Sequence, residues 1–353
     1  MRIAFLAPIK PPDHPIASGD RLIARNLARA LEAGGDTVVL ASRFVAYMKR
    51  PDALSERKAA ALGEAKLAVE RLRAAPPDLV LTYHPYCKAP DWIGPRIAAA
   101  FAVPYVTVEA ARASVDWPDH RAEAQTGMAH ADLHVWLKPT DRDTLRATFG
   151  PEVPLARLPP FIDISAIDAI GGKTELPEPT VAIVGQMRPG KKRRNYEMAA
   201  DALSRLTAPP NVLVMGDGPE RAAIEAMLPN ARFIGAVPHQ EVIRNLRGAS
   251  LMLWPGDREP IGMVYLEAAA CALPVVATAD MGVPLVVRDG ETGLLAPSGD
   301  VAGLAQRMDA LLADGERRTK IGAQARAHVV RHHSLDSATM ALQAVLARFR
   351  PPS

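Results

Sequence analysis

The stretch SLMLWPGDREPIGMVYLEAAACALPVVAT, residues 250–278, decides the fold. It opens on a short apolar run, SLMLW, and closes on another, LPVVAT. Both are the length of buried strands. Between them lies a loop rich in proline and glycine, PGDREPIG, and then an apolar, alanine-rich run with the length of a helix. Strand, loop, helix, strand is one unit of a parallel sheet. Glu259 stands in the loop and Glu267 inside the apolar helix, with seven residues between them. A buried carboxylate without partners costs several kcal/mol or takes up a proton, so both positions ask for a reason.

The same rhythm extends outward in both directions. TVAIVG, NVLVMG and ARFIG precede the stretch as strand-like runs, with helical patterns between them. Nearer the start, residues 3–8, 37–40, 78–82, 105–108 and 133–136 read as strands. Residues 19–34 and 53–73 read as helices. In the first of these helices Leu22, Ile23, Leu27, Ala30 and Leu31 share a face, and Gly34 lies near the C-cap. The rhythm pauses over residues 150–180, where prolines and glycines carry no long period. The expected fold class is therefore α/β, with two doubly wound domains facing across a cleft. Residues 1–160 form the first, 161–178 a linker, 179–335 the second, and 336–353 a C-terminal helix that can belong to either domain, with packing back on the first as the expected arrangement. In open sheets of this type ligands bind beyond the carboxyl ends of the strands, so chemistry is sought in the loops that follow strands.

Composition narrows the function class. The 353 residues suffice for two cores. A net charge of +3 is too small to argue for nucleic acid. Cys87 and Cys271 stand far apart, which speaks against a disulfide framework or a zinc site and fits a reducing compartment. The apolar opening MRIAFLAP is too brief for a signal peptide, and no run approaches the length of a membrane span. A cytoplasmic protein is expected. Residues 43–73 hold eight Lys/Arg against four Asp/Glu. This segment is either a solvated helix face or a peripheral contact with anionic lipid at the inner membrane face.

Three loops carry the chemistry. The first, GQMRPGKKRRN, begins at Gly185. Its Gly185-xxxx-Gly190-Lys191 spacing resembles a P-loop, but Lys192 stands where that motif needs Ser or Thr to hold Mg²⁺. What survives is an anion site with Arg188 and Lys191 near a helix start, or a solvated basic turn. The second, VMGDGPER, begins a dinucleotide fingerprint at Gly216-x-Gly218, with Arg221 in place of the third glycine. It is a close approach of backbone to a ligand, or a tight turn. The third is the loop before Gly262 and Met263. A helix start carries about half a positive charge, and glycine there leaves the free N–H groups accessible, so a phosphate fits. Glu259 and Glu267 then flank that phosphate, and a carboxylate accepts two sugar hydroxyls at once.

Taken together, Glu259-Pro-Ile-Gly-Met-Val-Tyr-Leu-Glu267, GQMRPGKK, VMGDGPER, FIGAVPHQEVIRNLRGAS and VRDGETGLLAPSGDVAGLAQRM resemble glycosyltransferase family 4, the retaining glycosyltransferases of group 1 with the GT-B fold. The resemblance covers residues 180–335. The first domain shares only the general plan. The resemblance implies a nucleoside-diphosphate sugar bound mainly by the second domain. On that reading Lys191 contacts the diphosphate, Glu259 the transferred sugar and Glu267 the ribose. Gly185, Gln186, Gly216, Gly218, Ile261, Gly262, Met263 and Val264 complete the donor side, with Gly262 and Met263 cradling the distal phosphate. The chain departs from the family at Gln186, where arginine is usual and Arg188 is the candidate substitute. It departs at Ser18-Gly19-Asp20, where the family often has two glycines, and at Glu109, where many members have histidine. Gly19, Asp20 and His84 are the acceptor-side candidates, and Glu109 is the candidate catalytic carboxylate there.

The implied function is retaining transfer of a sugar to a glycan, lipid-linked or small-molecule acceptor. Neither a metal nor another cofactor is expected, because lysine and the helix start take the metal's place. The alternatives are a non-catalytic nucleotide-sugar-binding protein of this fold, and another enzyme of the fold such as a nucleotide-sugar epimerase or a phosphorylase. A two-domain dehydrogenase is disfavoured by the missing third glycine.

Overall fold

The computed structural model describes residues 1–16, 18–110 and 117–350. The chain divides into two units, Met1–Pro159 with Leu335–Ser353, and Pro160–Ser334. The first unit alternates β1 (Arg2–Leu6), α1 (Gly19–Ala33), β2 (Thr37–Leu40), α2 (Leu54–Leu72), β3 (Leu79–Tyr83), α3 (Gly94–Phe101), β4 (Tyr105–Val108), α4 (Pro118–Met128), β5 (Leu133–Trp136), α5 (Pro139–Phe149) and β6 (Leu155–Arg157). Its strands pair in parallel in the order β2-β1-β3-β4-β5-β6. The order reverses between β1 and β3, so the loops after these two strands diverge and leave a crevice. α1 begins after one of them, with Ser18 accepting the Arg21 N–H at 3.2 Å. His84 follows the other.

The second unit continues with α6 (Ile164–Asp168), β7 (Thr180–Val184), α7 (Lys191–Ser204), β8 (Asn211–Met215), α8 (Arg221–Met227), β9 (Arg232–Phe233), α9 (His239–Gly248), β10 (Leu251–Leu253), α10 (Met263–Ala270), β11 (Val275–Thr278), β12 (Gly293–Ala296), α11 (Val301–Leu312) and α12 (Gly315–His332). This sheet is also parallel, in the order β12-β11-β10-β7-β8-β9. It reverses between β7 and β10. The loops at that crevice are GQMRPGKK and PGDREPIG, two of the three singled out by sequence. Two doubly wound α/β units of this kind make a GT-B fold.

One boundary differs from the sequence reading. Residues 161–178 are not a linker. Asp163 caps α6 by accepting the Ala166 N–H at 3.0 Å, and Ile162, Ile164 and Ile167 are buried in the core of the second unit. Prolines hide this segment's periodicity, yet its apolar side chains leave water with the rest of that core. The last helix, α13 (Leu335–Leu346), belongs to the first unit. Thr339 donates to the carbonyl of Ala30 at 3.1 Å and Gln343 to that of Gly34 at 3.1 Å. Where the chain enters and leaves the second unit, Ile162 donates to the His333 carbonyl at 2.8 Å and pairs with Ser334 in a parallel bridge. Among the described residues no helix is long and apolar enough to cross a membrane.

Candidate active site

In the second unit the site is assembled around the loop after β10. Gly262 caps α10 with a φ of +72°, and a side chain there would collide with the Tyr265 ring. Glycine therefore sets both the turn and the bare helix start. The loop is tied to α7 by one side chain, that of Asn195, which is almost fully buried. Its Oδ1 accepts the N–H groups of Gly256 and Asp257 at 2.6 and 2.9 Å. Its amide donates to the carbonyls of Lys191 and Asp257 at 2.8 and 3.1 Å. With all its bonds placed, Asn195 clamps the loop that carries Glu259 onto the helix that carries the lysines.

That clamp brings Lys192 to Glu259. The Lys192 ammonium donates to Glu259 Oε2 at 2.7 Å, and the Trp254 indole N–H reaches the same oxygen at 3.3 Å. The ammonium also lies 5.1 Å from the centre of the Trp254 ring, within cation–π range. Trp254 is fully buried and packs edge-on against Tyr196. Within α10, Glu267 is 9% exposed and accepts a bond from His239 Nε2 at 3.0 Å. This bond raises the pKa of His239 above the ordinary histidine value, against the effect of its burial.

In the first unit a second cluster gathers at the crevice between β1 and β3. Asp20, in the first turn of α1, accepts from His84 Nδ1 at 3.2 Å. Deeper in, Glu109 follows β4 in a left-handed conformation with φ +53° and is 3% exposed. Tyr83 donates to it at 3.1 Å, and Lys138 forms a short ion pair with it. Lys138 also lies 3.3 Å from Asp141. Burial opposes ionisation of Glu109, but the charges of His84 and Lys138 outweigh it and hold the carboxyl below its ordinary range. Burial likewise works against charging His84, and Glu109 and Asp20 reverse that and raise its pKa.

Asp141 goes the other way, with burial pushing its carboxyl up to about 6. A carboxylate whose pKa is raised on folding destabilises the fold where it is ionised, and that cost fades as pH falls through about 6 toward the unfolded value of 3.8. Asp141→Asn is therefore expected to gain on the wild type at alkaline pH. The difference in Tm between the two proteins, followed from about pH 8 to about pH 5, should shift in favour of the wild type as pH falls. A difference independent of pH would overturn this assignment.

Comparison with known proteins bears on the family and the fold. Residues 178–314 match the family model described as glycosyl transferases group 1. A GDP-mannose-dependent alpha-(1-6)-phosphatidylinositol monomannoside mannosyltransferase of Mycolicibacterium smegmatis is 28% identical over 228 residues, which is 59% of this chain and 58% of that protein. The chain thus matches little more than half the length of that relative. Residues 178–314 are a group 1 glycosyltransferase domain. The fold extends over the whole chain. A sucrose-phosphate synthase of Thermosynechococcus elongatus superposes with a TM-score of 0.75 over 98% of both chains, at 19% identity. HepE of Anabaena, solved in complex with UDP and glucose, does so with a TM-score of 0.67 over 99% of this chain at 16% identity.

Within the group 1 glycosyltransferase domain, the residues singled out by sequence divide. Glu259, Ile261, Gly262, Met263, Val264 and Glu267 lie at or beside the α10 start. Lys191 does not join them. It is exposed, as are Arg188 and Gln186, and no side-chain hydrogen bond holds Lys191 or Arg188 to a neighbour among the described residues. Lys192 is the lysine that reaches Glu259. Gly216 and Gly218 have φ values of +144° and +154°, and side chains there would overlap the Gly185 and Met187 carbonyl oxygens. These glycines let the first and second loops meet, which is the tight-turn reading of them. Gly185 joins that contact from the other side.

In the first unit His84 and Asp20 come together. Gly19, beside them, has open space where a side chain would stand. Glu109 does not face solvent as a free carboxylate, because its oxygens are already engaged. Lys138, Asp141, Asn195 and His239 escaped the sequence reading. In residues 43–73 five of the cations are paired, Arg43 with Asp13, Arg50 with Asp52, Lys58 with Glu123, Arg71 with Glu64 and Arg73 with Glu70. The solvated helix face accounts for them.

Proposed function

We propose that the protein is a retaining, metal-independent glycosyltransferase that moves a sugar from a nucleoside diphosphate to a hydroxyl of a glycan, lipid-linked or small-molecule acceptor. The observation that carries this reading is the pair Glu259 and Glu267 on either side of the α10 start, with Lys192 on the first of them. The relatives support the donor class: one is named as GDP-mannose-dependent, and one structural neighbour is solved with UDP and glucose.

Retaining transfer breaks the bond between the anomeric carbon and the diphosphate. Negative charge grows on the leaving phosphate and positive charge on the sugar ring. Donors aimed at that phosphate act on charge that develops in the transition state. Lys192 and the free N–H groups at Gly262 and Met263 are those donors. Glu259 then accepts hydroxyls of the transferred sugar and Glu267 those of the ribose. On the acceptor side, Asp20 and His84 form the accessible edge. Glu109 stands behind them and acts through His84 as a positioning residue. The setting is the cytoplasm, at the inner membrane face if the acceptor is lipid-linked.

Thermal unfolding in EDTA, with UDP, GDP and ADP in turn, tests the donor site. One of them at about 100 times its dissociation constant should stabilise the wild type by about 2.7 kcal/mol, and Glu267→Ala should abolish the shift. Transfer should likewise run at full rate in EDTA. Loss of activity on chelation with recovery on Mg²⁺ or Mn²⁺ would sink the metal-independent mechanism, and no shift with any nucleotide would sink the donor site.

A further inference from the structure

His239 opens α9 and makes one polar side-chain contact among the described residues, the 3.0 Å bond from its Nε2 to Glu267 Oε1. The histidine side chain is 51% exposed, whereas that of Glu267 is 12% exposed. α9 packs through Ile243, Asn245 and Leu246, one or more turns further along, so the helix does not depend on His239 for its seat. No donor among the described residues reaches the other oxygen, Oε2, of Glu267. The carboxylate is thus held by one oxygen and open at the other. A glutamate has three side-chain torsions, and a tether on one oxygen removes most of that freedom before any ligand arrives.

We infer that His239 is the positioning residue that lets Glu267 distinguish ribose from 2′-deoxyribose, by fixing Oε1 and presenting Oε2 to a ribose hydroxyl. The inference rests on the reading of Glu267 as the ribose carboxylate. Neutral imidazole with its proton on Nε2 and imidazolium both donate to Oε1, so the tether persists in either state. A ribonucleotide then meets an ordered acceptor, while a deoxyribonucleotide leaves that acceptor unused.

Calorimetric titration decides the matter, using whichever of UDP, GDP or ADP stabilises the protein, and its 2′-deoxy counterpart. The proteins are wild type, His239→Ala, His239→Gln and Glu267→Gln. A hydrogen bond to a charged group corresponds to about a ten- to hundredfold preference, which is the ribo-to-deoxyribo ratio expected of the wild type. His239→Ala should bring the ratio close to 1 with the deoxyribonucleotide affinity little changed. His239→Gln, whose amide nitrogen takes the place of Nε2, should restore the preference. A purely structural histidine would weaken both nucleotides alike and leave the ratio intact. If Glu267→Gln collapses the ratio and His239→Ala does not, the role of His239 is overturned while the donor site stands. If Glu267→Gln leaves the ratio intact, if the wild type shows no preference, or if no nucleotide binds, the ribose reading falls and this inference falls with it.

Discussion

Lys192→Ala should lower the rate of sugar transfer by about 10²–10³-fold, the usual consequence of removing one donor from a developing oxyanion. Lys191→Ala should stay within about twofold of the wild type, as surface substitutions away from special features do. The two lysines are neighbours in sequence and alike in charge, so only their placement separates them. Lys191 projects into solvent at the first position of α7. Lys192 is half-buried beside Trp254 and lies 2.7 Å from Glu259. In the unliganded protein it neutralises that carboxylate. A diphosphate carries more charge than Glu259 and should draw the ammonium to itself, freeing Glu259 for sugar hydroxyls. Initial rates with saturating donor, for both variants side by side, check the assignment. A large loss in Lys191→Ala with little change in Lys192→Ala would reverse it.

The largest effect on stability is expected from Lys138→Met. This change leaves Glu109 and Asp141 buried without their cation, and breaking a buried ion pair from one side typically costs about 3–5 kcal/mol. Urea denaturation of the variant should show a lowered midpoint. The double variant Glu109→Gln, Lys138→Met should be more stable than Lys138→Met alone, because one of the two carboxylates left without a cation is then neutral. If the double variant is instead the less stable, the cost lies in packing of the lysine stem rather than in charge. Glu109 is depressed in the folded protein, so the stability it contributes is present above its unfolded pKa. That contribution is lost as pH falls through the folded value.

The stretch around β10 and α10 was legible in the sequence because strand, loop and helix there carry unambiguous local signals. β6 and β12 were not. Each is three or four residues long, and each pairs on one side only, at the edge of its sheet. β6 is three residues long and not buried, so it leaves little periodicity to read, and β12, although buried throughout, is four residues long, too short to set a period. α6 was masked by prolines, although Phe161, Ile164, Ile167 and Ile170 recur at helical spacing. Lys192 was readable in principle. It shares a helical face with Asn195, Tyr196 and Ala199, all of which are buried, and three- and four-residue spacings place it above them. The partners of Glu109 and Glu267 were of another kind. Lys138 is 29 residues from Glu109 and His239 is 28 residues from Glu267. Such pairings follow from the order of strands in the sheet, which a single sequence does not spell out.

The bridge between Ile162 and Ser334 has a practical consequence. The second unit, Pro160–Ser334, starts and stops at neighbouring points, like a paragraph set between brackets. Residues 160–334 can therefore be excised as one gene segment, or given new termini at the exposed turn after α8, with a short linker joining the old ends. The same property suits the unit to exchange, since its two splice points, though far apart in the chain, lie side by side in space.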